Sequence, residues 1–447
     1  VNDLRNAPEA PASAPRSVLA PERRYWTALT VTLAGAIVFA LVLQTPPALS
    51  PNDTSRWNAI WAMVHTGRCS WVGDKPFWTI DRCTYDPIPT TQHAQSARWY
   101  SSKPYFMQVL AAGVAWPFCR LLGFNVADDL AVVGRLIIIA FNVLPFLLLV
   151  TFYGRLLGKM GVGSFTFAFC LLTAAAGTYL SGWCITLNNH IPAAVCVFFA
   201  MYALHEIAAN PRAGLGWHLA AGLFAGMATA FEVQAAAVAG LGGALVWWLR
   251  RRNAAGVVAF AAAAGLPVAA YFVCNRVCTG RWTSFQWTFP RHYDPYWARP
   301  TGIDALDEPK GWYLFNLLLG HHGFFSLTPV FLVAAVGLVR NLRAPGPLRP
   351  LALLTGLASV VLIGFETAVT SNYGGTSQGA RWLFWLIPIW LVMLPAGVEG
   401  ARGRSGGRWL LLASLGVSTF SVGYALKLPW SRSWLHDLFY LAGLTNY

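Results

Sequence analysis

Long apolar runs recur along this chain, near residues 26–43, 136–153, 165–180, 191–209, 217–231, 235–249, 257–273, 324–339, 351–368, 382–398 and 409–425. Inside a bilayer no water is present to satisfy backbone N–H and C=O groups. Each run of about 20 apolar residues must therefore cross as a helix. Only 11% of the 447 residues are charged, where a soluble domain carries roughly 25%. The pattern predicts an all-α integral membrane protein of about eleven transmembrane helices, and it excludes a soluble fold. The net charge of +14 does not signal nucleic acid as a partner. Lys and Arg gather at the cytoplasmic ends of spans, where anionic membrane lipids attract them.

The basic residues also orient the chain. With the N-terminus inside, the cytoplasmic pieces hold 16 Lys/Arg in 63 residues and the outer pieces 15 in 181. Such a density difference favours this topology. Arg23–Arg24 before the first run looks like a signal peptide, but ten runs follow, so an uncleaved signal anchor is expected. Residues 1–24, with the Pro/Ala-rich stretch 7–17, read as a disordered cytoplasmic N-terminus, and 25–447 as a single polytopic domain. Residues 105–124 are apolar but carry Gln108, Pro117 and Arg120. Counting them as a span would move basic cytoplasmic pieces outside, so they read as an interfacial helix. The soluble mass then lies in two external loops, 45–131 and 275–322. There is no visible internal repeat of paired broken helices such as many transporters have.

In this topology Cys69 and Cys83 share an oxidising compartment, and a bridge between them is one expectation and simple packing the other. Cys274 and Cys278, four apart at the outer end of a span, likewise pair or pack. No Cys/His spacing matches a zinc site.

Asp53 and Arg56 follow the first run in "SPNDTSRWNAIW", with Trp57 and Trp61 at helical spacing. Asp53 is either the N-cap of an interfacial helix beside belt tryptophans, or one half of an active site. Further on, "RWYSSKPYFMQVLAA" sets Lys103 before Pro104, with Tyr100 nearby. Its ammonium either snorkels beside lipid phosphates or captures one particular phosphate.

Asp53-x-x-Arg56-Trp57 followed by Trp99-Tyr100-x-x-Lys103-Pro104 resembles the first external loop of the GT-C membrane glycosyltransferases. The similar branches are the aminoarabinose transferases of lipid A and the protein O-mannosyltransferases, with stretches of the form D-E-x-R-Y and Y-F-x-K-P-P. The resemblance implies that Asp53 is the catalytic base or acceptor-positioning carboxylate, and that Lys103 holds the phosphate of a polyprenyl-phosphate sugar. The chain departs from aminoarabinose transferases at Ser102, where they have an acid. It departs again in "TLNNHIPAA", where His190 stands in place of an aspartate. Cofactor use is open on this account: none is required by the motifs, and a divalent metal is one option. The donor sugar is open as well. Asn189 and its neighbour Asn188 are sugar-hydroxyl binders or turn formers.

Three further outer points complete the candidates. Glu232 sits at the tip of a tight helical hairpin, as a solvated turn or as a costly functional carboxylate at membrane depth. His321 and His322 stand where the second loop re-enters, and on a helix adjacent histidines would face apart, against a two-His metal site. "SNYGGTSQGARWLFWLIP" ends a Gly-rich loop on Arg381, at a place similar to a G-x-R-W segment of GT-C relatives; a guanidinium there suits a donor phosphate.

Together these predict sugar transfer from a polyprenyl-phosphate donor to a glycan, lipid or protein acceptor at the external face of an inner or plasma membrane, with inversion. Asp53 and Glu232 are the catalytic candidates. Lys103, Arg381 and Arg56 are those for the donor phosphate. His190, Asn189, Tyr100 and Trp57 are those for sugar or acceptor, with Trp78, Trp99 and Trp287 as further ring faces. The alternatives are a transporter or flippase of lipid-linked sugars, and an O-antigen ligase or polymerase with a pyrophosphate-linked donor.

Overall fold

Among the described residues, ten helices are long and apolar enough to cross a membrane. The computed structural model describes residues 20–74, 76–85, 96–250, 254–445 and 447. The eleven apolar runs map onto nine of these ten and onto two shorter helices, Leu215–Phe231 and Val330–Arg343. The run at 324–339 becomes helical only at Val330, because residues 319–329 form successive turns. Of the N-terminus expected to be disordered, residues 1–19 lie outside the described residues. Glu22, Arg23 and Arg24 are helical, since Pro21 opens the first helix, Pro21–Gln44.

His190–Ala209 and Arg381–Arg402 are the most enclosed helices, with Ser164–Gly182 beside them, whereas Ala254–Thr279 and Pro21–Gln44 stand at the outside. A helix apolar on every side, like His190–Ala209, is at home in such a centre. Glycines set the closest approaches. A Cβ on Gly222 or Gly226 would stand 2.1 or 2.2 Å from the carbonyls of Phe260 and Ala264. Gly337 and Gly397 do the same between Val330–Arg343 and Ile387–Arg402. Small residues let helix backbones touch where lipid supplies no hydrophobic driving force.

Tyr105–Leu122, read from the sequence as interfacial, is the tenth helix long and apolar enough to cross. At its start, Tyr105 N–H donates to Asn275 near the end of Ala254–Thr279 (3.2 Å). Past its other end, Val126 N–H donates to His65 (3.1 Å). Four residues later the next long helix begins beside the end of the first, where Arg135 donates to the Val42 carbonyl (3.1 Å). Both ends are thus held by segments that flank the ends of Pro21–Gln44 and Ala254–Thr279.

The two large loops form one layer. The first contains a small sheet that an all-α reading does not foresee: β1 (Ser70–Val72), β2 (Arg82–Cys83) and β3 (Arg98–Ser101), antiparallel in the order β1-β3-β2, with Trp71 opposite Trp99 and Cys83 opposite Tyr100. The second loop docks on it. Arg82 pairs with Asp294 (2.8 Å), Thr84 N–H donates to the His292 carbonyl (2.9 Å), and Trp297 Nε1 donates to the Ile80 carbonyl (3.0 Å).

Neither of the two cysteine pairings left open by the sequence forms. Cys69 Sγ lies 2.6 Å from Cys278 Sγ, tying the first loop to the end of Ala254–Thr279. Cys83 instead is buried against Phe285 and Tyr293. The reason is the sheet, which carries Cys83 away on β2 while Cys69 stays beside Tyr105.

Candidate functional site

Helix Pro51–Trp61 begins with Ser50 as its N-cap and Pro51 in the first turn. Ser50 Oγ accepts from Asp53 N–H (3.3 Å), and Asp53 Oδ2 reaches back to accept from Leu49 N–H (3.0 Å). Asp53 is therefore not the N-cap but the acid in the first turn, a variant of the capping box. Its Oδ2 also accepts from Thr186 Oγ1 (2.9 Å), while Oδ1 is buried with no partner. Burial pushes its carboxyl up to about 6, with Arg56 pulling the other way.

One turn on, the buried Arg56 donates to the carbonyls of Asn52 (3.1 Å) and Leu187 (3.4 Å) and to Asn189 Oδ1. Asn189 Nδ2 passes the link to Glu232 Oε1 (2.5 Å), and His190 Nδ1 stands 2.5 Å from the same oxygen. Both residues open the His190–Ala209 helix, and Glu232 caps the end of Leu215–Phe231. Three separate segments thus bring Arg56, Asn189, His190 and Glu232 into one chain. His190 Nε2 is buried without a partner.

Lys103 follows β3 and pairs with Asp81 (3.2 Å). Asp81 is fixed in turn, since its carbonyl accepts from Ser55 Oγ (2.5 Å), which also meets Ser101 Oγ (2.8 Å). Burial lowers the Lys103 ammonium, Asp81 opposes that, and Arg56 and Arg381 push it further down. The three cations therefore share one electrostatic neighbourhood.

Arg381 begins the turn that leads into the central helix Ile387–Arg402. It is only 7% exposed, and Trp430 lies 4.8 Å from its guanidinium carbon. Gly374, at φ 89°, leaves room that a Cβ would close to 2.6 Å from Nε. Among the described residues no carboxylate stands in ion-pair contact with this guanidinium and its Nε is buried without a partner, while Asp81, Glu232 and Asp304 act on it from farther off. Burying a cation so is costly without an anionic partner. Trp430 Nε1 donates to Thr186 Oγ1 (3.0 Å), so Asp53, Thr186, Trp430 and Arg381 form a continuous line of contacts.

Two expected contributors lie elsewhere. Trp57 is fully buried in the core with Nε1 on the Pro47 carbonyl (3.0 Å), and no ring face is left for a sugar. Tyr100 packs with Tyr85 and Phe285 in the loop layer. Trp99 is covered by Arg82, while Trp78 and Trp287 are exposed. Four residues escaped sequence reasoning. Asp81 and Glu366 carried a signal: an acid in the first loop, and an acid near the end of an apolar run. Glu366 is fully buried with neither carboxylate oxygen partnered. Thr186 and Trp430 carried none.

His321 and His322 do not face apart. They lie on a turn, not a helix, and their Nδ1 atoms meet at 2.5 Å. Among the described residues, no three His, Cys, Asp or Glu side chains converge as a metal site; His190 with Glu232 is a pair of donors only.

No family model matches the chain, and no curated protein matches it. A solved structure does: the crystal structure of ArnT from Cupriavidus metallidurans in the apo state. The likeness covers 90% of this chain and 75% of that one, with a TM-score of 0.52 and 14% sequence identity. ArnT is an aminoarabinose transferase, a GT-C enzyme. The chain has an ArnT-like polytopic membrane fold.

Proposed function

We propose that this protein is a GT-C-type glycosyltransferase that moves a sugar from a polyprenyl-phosphate donor to an acceptor hydroxyl, with inversion, at the loop-bearing end of the bundle. The observation that carries the reading is Arg381, a buried guanidinium with no carboxylate in ion-pair contact, gathered with Lys103 and Arg56 near the buried Asp53. A phosphate group supplies the missing partner for such a cation.

In the proposed reaction the acceptor oxygen attacks the anomeric carbon. The bond from that carbon to the phosphate oxygen breaks, and its electron pair leaves on the polyprenyl phosphate. Arg381 and Lys103 stabilise the charge that grows there, with Arg56 as the second rank, since its donors are already engaged. The acceptor proton passes to Asp53, whose free Oδ1 is the available base and whose Oδ2 is locked by Leu49 and Thr186. Glu232, His190 and Asn189 line the far side as contacts for sugar hydroxyls. An integral membrane location follows from the helices; the inner or plasma membrane and the outer face belong to this proposal.

The test is turnover of purified protein with a panel of polyprenyl-phosphate and polyprenyl-diphosphate sugars. Arg381→Ala is expected to lose about 10²- to 10³-fold in kcat, as for removal of a transition-state charge partner. Asp53→Asn should lose about 10²- to 10⁴-fold. Wild-type rates in both variants would refute the site. Turnover of diphosphate donors alone would replace the monophosphate reading.

A further inference from the structure

Next to the Arg381 region lies a cavity of about 210 Å³ that the proposed transfer leaves unused. Its lining includes Thr301, His322, Ser377, Arg432, His436 and Tyr447. His436 is 1% exposed, and its Nδ1 is buried with no partner. His322 has its Nδ1 engaged by His321, whose Nε2 meets Tyr447 OH (2.9 Å). The ring therefore has only Nε2 left for a ligand.

The wall is held rigid. His322 stacks on Tyr373 at 4.7 Å, and Tyr373 on Tyr313 at 4.5 Å. Tyr373 adopts φ 53°, the left-handed region that a bulky residue rarely enters. Strain of that kind persists where surrounding packing enforces it, and it clusters at ligand sites.

The chemistry of the lining selects a ligand class. Burial lowers His321, His322 and His436, so the imidazoles are neutral and mix donors with acceptors. Hydroxyls of Thr301, Ser377 and Tyr447 add more of both kinds. Arg432, at the rim, is the cation of this lining. Such a surface matches a ring bearing several hydroxyls better than it matches an anion. The volume is below the roughly 300 Å³ at which drug-sized pockets begin, and so suits one ring.

The cavity adjoins the transfer site through shared segments. Ser377 lines it, while the next residue, Gln378, bonds the Pro429 carbonyl (2.8 Å) and Ser431 Oγ (2.8 Å). Trp430 between those two lies over Arg381. We propose that this cavity seats a single uncharged sugar ring of the acceptor. Its acceptor role rests on the transferase reading; the binding of a ring does not.

The full chain in lipid nanodiscs, titrated with free hexoses and pentoses and followed by saturation-transfer NMR, tests this. At least one sugar is expected to bind, about tenfold more weakly in His436→Gln and in Thr301→Val, the loss of roughly one hydrogen bond each. Arg381→Ala should bind that sugar as the wild type does. Binding by no sugar, equal binding in both cavity variants, or displacement of the sugar by inorganic phosphate would overturn the proposal. Failure of sugar binding with Arg381-dependent turnover intact sinks the subsite alone. Intact sugar binding with no turnover on any donor sinks the transferase reading.

Discussion

At the scale of single residues, the site is defined by what its groups lack. Asp53 Oδ1 and Arg381 Nε are buried without partners, and native proteins satisfy most such atoms. The Asp53 carboxyl at about 6 has two measurable consequences. A base must be ionised to accept a proton, so kcat/KM should rise with pH through about 6, and the Asp53→Asn variant should lack that limb. The stability effect has the opposite direction. With its folded value above the ordinary 3.8, Asp53 binds a proton more readily in the folded state than in the unfolded. Stability thus falls as pH rises from about 4 through about 6. Asp53→Asn, which escapes that penalty, should melt higher than the wild type at pH 7.5 while losing activity, a trade-off between stability and function. Melting curves at pH 5 and 7.5 decide it, and a variant less stable at pH 7.5 would contradict the assignment.

At the scale of elements, helix contacts depend on glycine. Gly226→Ala drives a Cβ to 2.2 Å from the Ala264 carbonyl, so Leu215–Phe231 and Ala254–Thr279 must separate. Overpacking of this kind costs about 1–3 kcal/mol. Gly240→Ala, on the helix Ala236–Arg250 with nothing within 4 Å, is the control. Thermal unfolding in detergent should show a lower midpoint for the first variant and none for the second. Because Glu232 caps the end of Leu215–Phe231, the first should also disturb the Glu232–His190 contact.

At the scale of the molecule, two distant loops close over one end of a helical bundle. Cys69 and Cys278, 209 positions apart, mark that closure. Oxidation of the native protein by copper–phenanthroline should link these two within one chain, and peptide mapping under non-reducing conditions should return that pair. A Cys69–Cys83 product would contradict the loop arrangement, since β2 and its aromatic neighbours hold Cys83 apart.

The apolar runs alone determined that this chain is a bundle of membrane-length helices, because burial of backbone in lipid is a local demand that each run answers by itself. Local signals also marked Asp53, Arg56, Lys103, Glu232 and Arg381, charged groups at the ends of apolar segments. Trp57 was marked by the same reasoning and went into the core, as aromatic spacing is common to belts, sugar platforms and packing. Tertiary structure alone decided partnership. Thr186 meets Asp53 across 133 positions and Trp430 meets Thr186 across 244. No periodicity encodes such contacts, which arise only when helices pack and their ends converge. The same packing left Arg381 without a carboxylate in ion-pair contact, a property that no residue carries in its sequence.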